Sequence, residues 1–441
     1  MFWILPLAVL LLDVLLWRHL RKRLETAFPS RKRLPRWASV ALFVVLFHPA
    51  VLMVVGGWSG SRALRELLPD GLLIAAMAVQ VAALLYGAAV GVGGASRALW
   101  RVARGARIPL RRFAAALAPR ADHHPTGGAT RPTAEVPDLE RRRFVLASIV
   151  AAPSAALTLS AAGVVSARQM PVVTHLRVPV RPEWSELHGV TIAQLSDVHV
   201  GSYMDAARVD RLRDAVNALG ADYHVITGDL LDNDVVQMEL ATRLLRGMRP
   251  RRGELFFAMG NHEYIAARRA DVRGIVRGLE EAGAQVLIDE ARRVRVGAHH
   301  LWMGAIDYPP SRHSRYQRWS DRSTEESLAL ALADMRDDGA PRILLSHHPR
   351  TFVAARELPL DLMLSGHTHG GQIHLGRVGD YALSPVLPID FYHKGTYRHG
   401  NRQLYVNSGT GGWLPVRINC PPEITLVHLV AEAPARRRSL V

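Results

Sequence analysis

The hydrophobic pattern divides the chain into two unlike parts. Before residue 170 four long apolar stretches stand out, at residues 2–17, 37–57, 71–94 and 144–165. The last three have the roughly 20 residues a helix needs to cross a bilayer. The first is shorter and is interrupted by Asp13. After residue 190 the apolar runs are short and alternate with helical spacing. Residues 190–196, 223–227, 254–259, 342–345 and 361–364 read as strands buried on both faces, and 205–219 and 235–248 as amphipathic helices. The pattern predicts an N-terminal α-helical transmembrane domain followed by an α/β domain.

Charge adds an orientation. Residues 1–168 carry 22 Lys+Arg against 8 Asp+Glu, whereas the remaining 273 residues carry 33 against 31. The link at 18–36 has eight Lys+Arg, and the link at 95–143 has eleven arginines, while the link at 59–70 is balanced. Positive loops stay in the cytoplasm, so four spans put everything after residue 166 outside it. No cation precedes the first stretch, which separates it from a signal peptide. The expected organisation is a four-span membrane domain at 1–168, a catalytic domain at 169–433 and a disordered tail at 434–441. The near-neutral outer domain disfavours a nucleic-acid partner, despite a net charge of +16.

Several features of the first part have two readings. The tract DHHPTGGATRPT in the third link is a flexible linker, and its His123 and His124 are either solvated or metal-binding. Asp13 and His48 at membrane depth are functional candidates or helix-end and kink residues. RRRFVL at 141–146 resembles a twin-arginine export signal and equally suits a cytoplasmic cluster orienting the fourth span. Val165-Ser166-Ala167 has the small residues of a signal-peptidase site, which leaves cleavage open.

The chemistry gathers in the second part. Each of the five strands ends in polar residues: Asp197 and His199, Asp229, Asn261 and His262, His347 and His348, and finally His367 and His369 within LSGHTHGG. Ligands of α/β sheets bind beyond the carboxyl ends of the strands, so five tips can converge on one site. A single cysteine, Cys420, excludes an internal disulfide and a cysteine-rich zinc site. Metal binding must then rest on His, Asp, Asn and Glu. Asp197, His199, Asp229, Asn261, His347, His367 and His369 exceed what one ion takes while leaving room for substrate. They suit two cations sharing a carboxylate.

The order D-x-H, GD, GNHE, SHH and GHTH resembles the calcineurin-like metallophosphoesterases, over residues 170–430. LSDVHVG, GHTHGGQI and the run at 405–429 are similar to their membrane-associated bacterial branch. The resemblance implies a four-layer sandwich of two mixed β-sheets flanked by helices. It implies that Asp197, His199 and His369 hold one metal and that Asn261, His347 and His367 hold the other, with Asp229 bridging. The ions would be manganese, iron or zinc, the choice being open among them. His262 would stabilise phosphoryl oxygens or protonate the leaving group. Glu263 stands where many relatives have Asp, and Arg350 where an acid is common.

His348 reads as a neighbour of the ligands. Arg417 is a candidate for bidentate contact with a substrate phosphate, and His374 and His393 are weaker ones. The basic, aromatic segment 308–322 is either a substrate-facing loop or a solvated connection. The expected function is a membrane-anchored dinuclear phosphoesterase acting on phosphate mono- or diesters outside the cytoplasm, by attack of a metal-bridging hydroxide. Its membrane setting makes a lipid-linked or envelope-derived substrate the natural guess. Two other classes remain open: a membrane-bound sensing module with an inactive metal site, and a nuclease of the same family.

Overall fold

The computed structural model describes residues 158–431 except 202, 268–270, 309–321, 380, 388 and 413, together with residues 18 and 155. The first three expected spans and most of the fourth lie outside the described residues. So do Asp13, His48, His123, His124, RRRFVL, most of the 308–322 segment and the tail. Among the described residues no helix is long and apolar enough to cross a membrane. The chain forms two units, Met1–Ala162 and Gly163–Val441.

After helical residues that run to 168, the second unit has β1 (Val172–Val180), β2 (Thr191–Leu195), α1 (Ala206–Ala218), β3 (Tyr223–Ile226) and α2 (Met238–Gly247). Next come β4 (Glu254–Ala258), α3 (Asn261–Ala266), α4 (Val272–Glu281), β5 (Gln285–Leu287), β6 (Glu290–Val296) and β7 (His299–Ala305). The rest is α5 (Thr324–Asp334), β8 (Arg342–Leu345), α6 (Phe352–Ala355) and β9 (Leu362–Ser365), a hairpin β10 (Gly376–Val378) and β11 (Tyr381–Leu383), then β12 (Gly395–His399), β13 (Arg402–Val406) and β14 (Glu423–Ala431). Two six-stranded sheets result, ordered β1-β14-β2-β3-β4-β5 and β12-β13-β9-β8-β7-β6. Both are mixed. β14 runs antiparallel to β2, and β12 and β6 run antiparallel to their neighbours, whereas β2-β3-β4-β5 and β13-β9-β8-β7 are parallel.

Strand periodicity explains the layers. In β4, Phe256 and Ala258 face the core between the sheets, while Leu255 and Phe257 face the helices on the other side. In β8, Ile343 and Leu345 enter the inter-sheet core, and Leu344 packs with α5 and α6 residues such as Leu328 and Phe352. Helices α1, α2 and α4 cover the first sheet through Val209, Leu212, Leu244, Ile275 and Leu279. The result is helix, sheet, sheet, helix, the four-layer sandwich expected. Truncating a fully buried residue such as Phe257 to Ala would cost about 3–5 kcal/mol.

Two details set the geometry of the strand tips. The parallel strands end level with one another, because Leu195 pairs with Ile226, Ile226 with Phe257, and Leu345 with Leu364. Gln194 ties the sheets together at that end, its Nε2 donating to Thr227 Oγ1 at 3.0 Å and to Ser365 O at 3.1 Å.

Candidate metal centre

Level strand ends place the polar residues beyond them in one cluster. Asp197, His199, Asp229, His367 and His369 all have positive φ, between 49° and 71°. A non-glycine residue in this region is strained, and five together mark loops held by their surroundings for a purpose other than stability. Glycines make the turns possible. Gly228, at φ 86°, sits where a Cβ would lie 2.6 Å from His347 Nδ1. A Cβ on Gly366 would collide with Ser196 Oγ and Asp197 Oδ2.

Three overlapping sets of ligand atoms form there: Asp197, His199 and His369; His199, Asp229 and His262; and Asp229, His347 and His367. In the first, His369 Nε2 lies 3.4 Å from Asp197 Oδ1 and 3.2 Å from His199 Nε2. In the last, His347 Nε2 lies 3.1 Å from both Asp229 Oδ2 and His367 Nδ1. Asn261 Oδ1 is 3.1 Å from that same His367 Nδ1. Asp229 Oδ2 is also 3.7 Å from His199 Nε2, so one carboxylate touches both sets.

Electrostatics prepares these atoms as donors. Burial drives His367 and His369 well below the usual imidazole range, so both are neutral and carry lone pairs. Asp229 is held well below the ordinary carboxylate range: burial opposes this, but the facing His347 and His262 outweigh it. Asp197, more completely dominated by burial, is pushed up. His347 is raised to about 9, against burial, by Asp229. Its Nδ1 is 2.7 Å from Thr227 O and donates to it, which aims Nε2 into the cluster.

The donor chemistry fits cations. Ring nitrogens of His199 and His369, and of His347 and His367, point at each other at hydrogen-bond distance. With His367 and His369 neutral and carboxylates alongside, these pairs converge on a position that suits a positive ion. His369 Nδ1 is buried with no hydrogen-bond partner among the described residues, a further sign of a ring placed for its other nitrogen.

Of the two adjacent histidines, His347 is the ring aimed at Asp229, while His348 Nδ1 accepts from Arg350 N at 3.2 Å. His348 still stacks near His367, with ring centroids 4.4 Å apart. The His262 side chain is 22% exposed. It donates from Nδ1 to the carbonyl of Asp232.

Arg417 is not available to a substrate. It is buried at 1% exposure, and its guanidinium donates to the carbonyls of Ser408, Gly409, Gly411 and Cys420 at 2.7–3.2 Å. The expected phosphate contact is corrected to a backbone clamp. His374 and His393 are likewise buried, donating to Gly370 O and Ala382 O.

Sequence reading missed three contributors. Glu263 is fully buried and collects four amides, from Gly260, Asp229, Leu230 and Leu231. Asp232, three residues after Asp229, lies 3.4 Å from His199 Nδ1. Tyr308, the first residue of the basic aromatic segment, sets its ring 5.9 Å from those of His347 and His367. The GNHE motif contained the signal for Glu263. For the other two no local pattern existed.

Fold and cluster together define a two-sheet α/β sandwich with a dinuclear-type centre at its shared strand tips. Residues 190–371 match the calcineurin-like phosphoesterase family. A Bacillus subtilis (strain 168) protein, the uncharacterized metallophosphoesterase YkuE, is 30% identical over 55% of this chain and 79% of its own. The chain belongs to the calcineurin-like phosphoesterase family. It is also similar to the Danio rerio transmembrane protein with metallophosphoesterase domain, 33% identical over 65% of this chain and 63% of that one. The UDP-2,3-diacylglucosamine pyrophosphatase LpxG of Chlamydia muridarum (strain MoPn / Nigg) is 26% identical over 59% of this chain and 89% of its own. The match thus spans somewhat under two thirds of the length of the zebrafish relative.

Proposed function

We propose that this chain is a membrane-anchored phosphoesterase that hydrolyses phosphate mono- or diesters outside the cytoplasm at a centre of two divalent transition-metal ions. The observation that carries the reading is Asp229, whose Oδ2 faces His347 Nε2 at 3.1 Å and His199 Nε2 at 3.7 Å. A carboxylate placed between two pairs of imidazoles is built to be shared. Asp197, His199 and His369 would hold one ion, and Asn261, His347 and His367 the other. When bound, such ions polarise phosphoryl oxygens and lower the pKa of coordinated water. Manganese, iron and zinc all suit a His, Asp and Asn donor set.

The chain's own residues do the rest. His262 N donates to Asp229 Oδ1 at 2.8 Å, which fixes the bridging carboxylate from below. With Nδ1 engaged by Asp232, the Nε2 of His262 is left for a substrate oxygen. To deliver a proton to a departing alkoxide, His262 must carry it on Nε2, so its protonated form is the acid. Tyr308 walls the histidines on one side and narrows the approach.

The orientation of the basic links supports an extracytoplasmic site, and the zebrafish relative's name supports membrane attachment. The name of the Chlamydia relative, a diacylglucosamine pyrophosphatase, supports including lipid-linked esters among the substrates.

The test is metal content and turnover of bis(p-nitrophenyl) phosphate by the full chain in detergent, beside Asp229→Asn and His262→Ala. The reading expects about two ions per chain, weakened binding in Asp229→Asn, and retained metal with lost turnover in His262→Ala. Full metal occupancy without turnover of any phosphate ester would favour a sensing module. A chain that binds no metal would overturn the reading.

A further inference from the structure

Residues 375–391 begin two positions after the GHTHGGQI motif and include the strands β10 and β11. This short segment displays Leu375, Val378, Leu383, Ile389 and Phe391, which are 64, 63, 38, 67 and 53% exposed. Scattered exposed apolar residues are ordinary, but five within 17 residues beside a polar centre are not. The segment is rooted in that centre, since Thr368 Oγ1 donates to His393 O at 2.6 Å and a Cβ on Gly371 would collide with Ser384 Oγ.

The root is shared with the place where the chain enters this unit. Ile373 bridges to Ile418, and His374 N donates to Ile418 O at 2.9 Å. One residue earlier, Arg417 N donates to Gly163 O at 2.9 Å, and a Cβ on Gly163 would lie 2.7 Å from Val416 Cγ1. Gly163 lies two residues before the end of the fourth apolar stretch, and Val165, its last residue, and Met170 are 62 and 44% exposed. A single strip, residues 416–418, therefore joins the end of a bilayer-length apolar stretch to the apolar rim of the metal centre.

We propose that residues 375–391 dock on the acyl region of the bilayer that the fourth stretch enters. The substrate is then an amphiphilic phosphate ester, its phosphate reaching the metal centre while its chains remain in the membrane. This rests on the chain being a membrane-anchored phosphoesterase. Apolar side chains gain most when they leave water for an acyl layer, and a chain tethered at Gly163 holds them near it.

The test uses the full chain reconstituted into vesicles of phosphatidylethanolamine and phosphatidylglycerol. Ile389→Cys and, as a control on the exposed face of α4, Arg277→Cys are each labelled with a nitrobenzoxadiazole dye; the native Cys420 is buried. The proposal expects blue-shifted emission at 389, quenched by doxyl lipids, and water-like emission at 277. Water-like emission at 389, or a blue shift that doxyl lipids do not quench, overturns it, the latter by indicating a protein partner.

A second arm compares substrates with the doubly substituted Val378→Ser, Ile389→Ser chain. Turnover of bis(p-nitrophenyl) phosphate should be unchanged while hydrolysis of phosphatidic acid, added to the same vesicles for this arm, falls about tenfold. Equal loss on both overturns the proposal. If the wild type turns over neither ester, the enzyme reading fails, and the dye emission still decides the docking.

Discussion

The Glu263 carboxylate accepts the backbone N–H of Asp229 at 2.9 Å, and its two oxygens also collect Gly260, Leu230 and Leu231. One side chain on α3 thus fixes the loop after β3 in the strained conformation, φ 54°, that turns Asp229 into the cluster.

Replacing Glu263 by Gln should be severe despite near-identical shape. Each oxygen serves two amides, so whichever way the new amide turns, its NH2 faces two N–H donors. The expected loss is about 2–3 kcal/mol of stability, with metal affinity reduced about 10–100-fold. Glu263→Asp keeps both acceptors and should fall between. Calorimetric titration with manganese, beside thermal unfolding, reads both quantities. Unchanged affinity in the Gln variant would mean the loop does not depend on Glu263.

Gly366→Ala tests close packing at the other side of the cluster. Its backbone needs no positive φ, so the effect comes from space alone: the methyl would collide with Ser196 Oγ and Asp197 Oδ2. Asp197 must move away from His369, and the ion assigned to that pair should be lost first. Elemental analysis should find about one ion per chain where the parent holds about two. Full occupancy would show that the Ser196–Gly366 contact yields at little cost.

Arg417 separates a structural clamp from a substrate contact. Removing its guanidinium leaves the carbonyls of Ser408 and Gly411 without their donor, while Gly409 O keeps only the N–H of Glu423. Arg417→Ala should cost at least about 3 kcal/mol, and Arg417→Lys, which cannot span the same carbonyls, nearly as much. Whatever folded fraction remains should bind bis(p-nitrophenyl) phosphate with an unaltered KM. A raised KM with unchanged stability would restore the phosphate-contact role.

Strand tips were the most legible part of this protein. All five strands anticipated from apolar runs form within one or two residues, at Thr191–Leu195, Tyr223–Ile226, Glu254–Ala258, Arg342–Leu345 and Leu362–Ser365. Parallel strands buried on both faces read as unbroken apolar runs, and their polar ends are abrupt. Asp205, expected at the start of a helix, is the N-cap of α1 and accepts from Arg208 N at 2.8 Å. The β6–β7 hairpin, with its alternating EARRVRV, was readable by period but bears no site residue to draw notice. Arg417 misled because sequence shows an arginine but not the carbonyls curled around it. Tyr308 and Asp232 were invisible for the related reason that their importance lies in which ring they meet across the fold.

His224 supplies a prediction about pH. It lies on β3, fully buried, with neither ring nitrogen hydrogen-bonded among the described residues, and burial pushes it down to about 4. A histidine whose folded pKa is depressed takes up a proton in the unfolded chain first. Its contribution therefore destabilises the fold as pH falls below the ordinary 6.5, and stops growing near pH 4. At about 1.4 kcal/mol per pH decade, that amounts to about 3 kcal/mol across the window. His224→Leu removes the titration along with two unpaired nitrogens packed beside the strand neighbours Ala193 and Leu255. The variant should be more stable than the parent by about 1–2 kcal/mol at pH 7. The gap should then widen steadily from pH 6.5 to pH 4, because only the parent pays for keeping that ring neutral. Thermal midpoints of both chains, taken in the same buffers, give the difference free of every other titrating group. Parallel curves would mean that water or a local opening already solvates His224, and a lower midpoint for the variant at pH 7 would mean that its nitrogens are partnered.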